Sequence, residues 1–101
     1  PIEVTVNLAG GAGDHFLKTK IQLEWDGKKF PKLLLAIEER LPKIRNIIID
    51  VLGVQSKSEL LRPDGTAKQR VRETIKNEIN AILPEEEGKI DNIYLQEFLI
   101  Q

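Results

Sequence analysis

Leu41-Pro42-Lys43-Ile44-Arg45-Asn46-Ile47-Ile48-Ile49-Asp50-Val51-Leu52 is the stretch on which the reading of this chain turns. Ile44, Ile47, Ile48, Val51 and Leu52 recur at i, i+3, i+4, i+7 and i+8, which is one face of an α-helix. Pro42 suits the first turn of that helix, where an N–H would have no intrahelical partner. Ser56 and Glu59 follow in the S-x-x-E spacing of a capping box and predict a second, short helix. The pattern is a buried helix, a tight turn and a capped helix.

Working outward, a helix should open near Pro31 and bury Leu33, Leu34, Ile37 and Leu41, until Pro42 disfavours helical backbone at Leu41. Before it, Ile2, Val4, Val6 and Leu8 alternate with Glu3, Thr5 and Asn7, as in a half-buried strand. Leu17, Ile21, Leu23 and Trp25 alternate with polar residues in a second strand, and Asp26-Gly27-Lys28-Lys29 breaks it. Downstream, Arg62-Pro63-Asp64-Gly65 reads as a turn. Thr66 and Gln69 repeat the capping-box spacing for a long helix to about Leu83, with Val71, Ile75, Ile79 and Ile82 inward. Pro84-Glu85-Glu86-Glu87-Gly88 then leads to a final strand from about Ile90 to Ile100. The order β-β-α-α-α-α-β predicts an α+β fold: a small, mostly antiparallel sheet with helices packed on one face. Residues 1–101 are read as a single domain, able to bury roughly two-thirds of its unfolded surface.

Fifteen basic residues against sixteen acidic ones leave no net positive charge, which argues against a nucleic-acid binder dependent on counterion release. No cysteine is present, so neither a disulfide nor a thiolate metal site can form. The longest apolar run, Leu33 to Ile37, is far short of the roughly 20 residues of a spanning helix. Starting on a strand-like Pro1-Ile2-Glu3-Val4 and lacking methionine, the chain reads as a piece of a longer protein.

Few residues are candidates for chemistry. Gly10-Gly11-Ala12-Gly13 lies between two strands and is followed by Asp14-His15, whereas a phosphate loop opens a helix and ends in Lys-Ser or Lys-Thr. His15, the sole histidine, has neither the further ligands of a zinc site nor a nearby nucleophile, and reads as an exposed loop residue. Lys68, Arg70, Arg72 and Lys76 scatter around their helix and are interrupted by Glu73 and Glu78. Glu85-Glu86-Glu87 lacks the alternating ligand spacing of a calcium loop. The sequence therefore predicts no catalytic residue, no cofactor-binding residue, no metal site and no enzyme.

One element reads as a surface for a partner. In strict alternation the final strand places Ile93, Leu95 and Leu99 on one face and Tyr94, Phe98 and Ile100 on the other. A sheet covered on one side would leave one of these sets open, and contiguous exposed apolar area marks an interface. Tyr94, Phe98 and Ile100 are the candidate interface residues.

Taken in order, these strings resemble the periplasmic domain of the flagellar basal-body-associated FliL family. Val4-x-Val6-Asn7-Leu8 before a glycine-rich turn and Phe16-Leu17 are similar to that family's opening. Arg40-Leu41-Pro42-x-Ile44-Arg45, Leu60-Leu61-x-Pro63-x-Gly65, Ile79-Asn80 and the closing stretch from Ile93 to Gln101 follow in the family's order. Leu95-Gln96 departs from the usual aromatic-threonine pair, and the Glu85–Glu87 loop resembles an insertion. The resemblance implies a bacterial inner-membrane protein, single-pass, anchored by a segment outside this chain and with this domain in the periplasm. It implies a stomatin/prohibitin-like fold, self-association into a ring, and the flagellar stator complex and basal body as partners. The implied role is non-enzymatic: support of stator assembly, stability or torque output in motility and swarming. The alternatives are a stomatin-like membrane scaffold unrelated to flagella and a small-ligand-binding domain, which would need a deep apolar pocket.

Overall fold

The computed structural model describes residues 2–10 and 15–101. β1 (Ile2–Asn7), β2 (Phe16–Glu24) and β3 (Asn92–Ile100) form one antiparallel sheet in the order β1-β2-β3. Between β2 and β3 run α1 (Leu33–Glu39), α2 (Leu41–Gly53), α3 (Lys57–Leu60), α4 (Thr66–Ile82) and a 3-10 turn at Glu85–Glu87. The architecture is α+β. α2 packs against β1 and against α4, and α4 packs against β3. Most of the Gly-rich loop, Gly11 to Asp14, lies outside the described residues.

The β1–β2 register brings Ile2 opposite Ile21, Val4 opposite Thr19 and Val6 opposite Leu17, so the buried residues stand in one inward column. Thr19 takes the inward position that the alternation left without an apolar residue. It is buried among aliphatic side chains and donates its hydroxyl to the Gln96 carbonyl at 2.8 Å. Trp25 follows the end of β2 and is half-buried against the core.

α1 and α2 are separate helices meeting at Arg40, with Pro42 in the first turn of α2, because a proline cannot continue the bonding of the preceding helix. Arg40 donates from Nη1 to the Ala36 carbonyl at 3.0 Å, satisfying one of the carbonyls left free at the end of α1. In α2, Ile44, Ile48 and Leu52 are fully buried and Ile47 and Val51 half-buried, as the periodicity predicts. Ser56 caps α3, its Oγ accepting the Glu59 N–H at 3.2 Å.

Three expectations are corrected. Leu34 and Leu41 are exposed, at 53% and 40%, and Ala36 is buried instead. α1 has room for one inward stripe, formed by Leu33, Ala36 and Ile37, and Leu41 stands at the first position of α2, ahead of its buried Ile44. The capping box at Thr66 and Gln69 does not exist. Gly65, at φ 70°, precedes the helix, and Thr66 donates its own N–H to Asp64 Oδ1 at 3.0 Å. That hydrogen bond holds the Asp64 carboxyl below the usual carboxylate range. Finally, β3 begins at Asn92. Ile90 is buried but held by a side chain: Asn80 accepts its N–H at 2.8 Å and donates to its carbonyl at 3.0 Å.

Candidate interaction surfaces

β3 does not alternate strictly. Lys18 opposes Leu99 while Lys20 opposes Gln96, so one residue of β2 faces two of β3: a β-bulge at Glu97 and Phe98. Glu97 adopts φ 50°, the one non-glycine residue of positive φ among those described, and its carboxylate meets Lys20 Nζ at 3.2 Å. Gln96 and Glu97 are both exposed, and inward and outward positions exchange beyond them.

The bulge divides the candidate set Tyr94, Phe98 and Ile100. Tyr94 is on the open side of the sheet, 43% exposed, and donates its hydroxyl to Glu24 Oε1 at 3.1 Å. The Glu24 carboxylate stabilises the protonated phenol and raises the Tyr94 pKa above its ordinary value. Phe98 and Ile100 instead join Ile93 and Leu95 on the helix side and pack on the core. Lys68 of α4 stands over the Phe98 ring at 4.4 Å, a cation–π contact. Leu99, assigned by alternation to the Ile93 and Leu95 face, turns outward and is 49% exposed. The two faces proposed from the sequence are thus each split.

Lys18, Lys20, Gln22 and Glu24 on β2 and Glu3, Thr5 and Asn7 on β1 turn away from the helices, to the same open side as Tyr94 and Leu99. Phe16, 42% exposed, is the third large apolar residue there and neighbours Leu99 diagonally across the strand pair. A second exposed apolar group lies on the helices: Leu34, Leu35 and Leu41, with Leu35 60% exposed. Helical geometry could have found it, since Leu33, Leu34 and Leu35 stand about 100° apart and cannot all face one core. The bulge left no such mark, because it depends on how β3 meets β2.

His15 is half-buried, a correction to its reading as exposed, and its carbonyl accepts the Leu8 N–H at 2.8 Å. Of the basic residues of α4, Lys76 pairs with Glu73 at 3.1 Å and Arg70 donates to Gln55 Oε1 at 3.2 Å. Among the described residues, no group of three or more His, Cys, Asp or Glu side chains could hold a metal ion. Among the described residues, no helix is long and apolar enough to cross a membrane.

The family model described as flagellar basal body-associated protein FliL matches residues 1–101. The flagellar protein FliL of Aquifex aeolicus (strain VF5) is 29% identical over 96 residues, covering 95% of this chain and 55% of that protein. The chain spans about half the length of this curated relative. The motif residues Arg40, Pro42, Gly65 and Asn80 end, start or clamp elements of the fold. With the family model matched from the first residue to the last, the chain belongs to the FliL family of flagellar basal body-associated proteins.

Proposed function

We propose that this domain is a non-enzymatic accessory of the flagellar motor that associates with the stator complex and supports its assembly, stability or torque output. The observation that carries this reading is the family match across residues 1–101. In this reading a single membrane-spanning segment outside the chain anchors the protein in the inner membrane, and the domain stands in the periplasm with a stomatin-like arrangement. Copies gather into a ring, where tethering raises their effective concentration enough for weak interfaces to suffice. Tyr94 contributes to contact from the open sheet face, while Phe98 and Ile100 support the strand from beneath.

The exposed apolar residues Phe16, Leu34, Leu35, Tyr94 and Leu99 support the reading, since a mechanical role needs surfaces for partners. In-cell crosslinking of the full-length protein, read together with swarming of a deletion strain, tests it. Crosslinks to stator subunits and a swarming defect restored by the wild-type gene are expected. Normal swarming of the deletion strain with no stator crosslink would overturn it.

A further inference from the structure

We infer that the free edge of β1, beside α2, binds an extended peptide segment that joins the sheet as a fourth strand. This rests on the fold and is independent of the basal-body role. Leu8 donates its N–H to the His15 carbonyl at 2.8 Å, and Val6, Val4 and Ile2 follow it at two-residue steps opposite β2. In an antiparallel ladder this spends the even residues on β2 and turns the N–H and C=O groups of Glu3, Thr5 and Asn7 to the outer edge.

The two ends of that edge are already engaged. At one, the Glu3 carbonyl accepts from Arg45 Nη1 at 2.6 Å. At the other, Ala9 donates its N–H to the Gln55 carbonyl at 2.8 Å and forms a parallel bridge with Ser56. The molecule itself therefore lays backbone on this edge at Ala9, and the open window runs from Glu3 to Asn7, where a Cβ on Gly53 would stand 3.9 Å from the Asn7 carbonyl oxygen. This window is about 13 Å long, the length of some four strand residues.

The window opens into a groove of about 540 Å³ between β1 and the end of α2, lined in part by Thr5, Asn7, Ile49, Asp50 and Val54. Val54 is 74% exposed, and Gly53 is flush with the strand: a Cβ there would stand 3.7 Å from Val6 Cγ1. Asp50 is exposed and makes no salt bridge among the described residues. The contrast with the opposite edge is informative. β3 carries a bulge, a device that discourages pairing, whereas β1 alternates without interruption. Unpaired strand backbone is satisfied by another strand, the β-augmentation mode of peptide recognition. The groove specifies the occupant further: β-branched residues facing Ile49 and Val54, and one lysine or arginine within reach of Asp50.

The probe is a capped hexapeptide of alternating valine and threonine with one central lysine, titrated into the isotopically labelled 101-residue chain. Saturable amide shifts centred on Thr5, Asn7 and Val54 are expected, with exchange of the Thr5 and Asn7 amide hydrogens slowed about tenfold at saturation. Thr5→Pro removes an outward donor and leaves the β2 ladder intact, and should weaken binding by up to about tenfold. Asp50→Lys, on the exposed helix surface, should lose the lysine peptide and gain one carrying glutamate, so the test survives a poorly folding Thr5→Pro. Absence of shifts at millimolar peptide, shifts away from this edge, or indifference to charge reversal would overturn the inference. Concentration-dependent shifts of the same amides without peptide would also overturn it, by making the edge a contact between copies of this chain.

Discussion

Asn80 shows how much one side chain can hold. Its amide gives Ile90 both the donor and the acceptor that a neighbouring strand would supply, at 3.0 and 2.8 Å. It thereby joins the end of α4 to the approach to β3. Asn80→Ala leaves the partly buried Ile90 N–H and C=O without partners, and should lower stability by about 1–3 kcal/mol. A denaturant melt measures the loss, and faster exchange of the Ile90 amide hydrogen places it. Tyr94 offers a titration at the same scale. Because Glu24 raises its folded pKa, the stabilising contact is fully present below the unfolded tyrosine value and is lost as pH rises through the folded one. Glu24→Gln should return the phenol towards its ordinary pKa. Ultraviolet titration reads this directly, because Tyr94 is the sole tyrosine.

At the scale of elements, the bulge in β3 decides which residues can meet a partner. Thr19 is placed to make use of it: its buried hydroxyl takes the Gln96 carbonyl at the point where the ladder is interrupted. Beyond the bulge, Phe98 and Leu99 exchange the sides that alternation assigns them. Phe98→Asp should therefore unfold or severely destabilise the domain, since it puts a carboxylate against the core. Leu99→Asp, on the open face, should leave the melting midpoint nearly unchanged. If the two variants melted alike, β3 would lack the bulge. The same pair scored for swarming separates a folding defect from an interface defect.

Across the whole molecule, two helices cover one face of a three-stranded sheet, with α2 over β1 and α4 over β3. Ile48 and Ile75, both fully buried, stand on the inward stripes of these helices. Replacing either with alanine leaves a cavity between the layers and should cost about 2–5 kcal/mol. In a domain of this size that is a large share of the total stability. Thermal melts of the single variants check it, and an unchanged midpoint for Ile48→Ala would mean that α2 does not face the sheet.

By itself the sequence determined the α+β class, the inward stripes of α2 and α4, the break at Pro42 and the Ser56 cap. Each follows from a local cause: a period of 3.6 or 2, a missing N–H, or a side-chain oxygen three residues from a free donor. Where partners lie far apart in the chain, only the tertiary structure could decide. Leu34 faces solvent because α1 has a single inward stripe, already taken by Leu33, Ala36 and Ile37, and Leu41 stands exposed at the first position of α2. Tyr94 parts from Phe98 and Ile100 because β2, more than 70 residues earlier, sets one residue against two. Which edge of the sheet remains open for pairing is likewise a matter of strand order and register, and no window of sequence contains either.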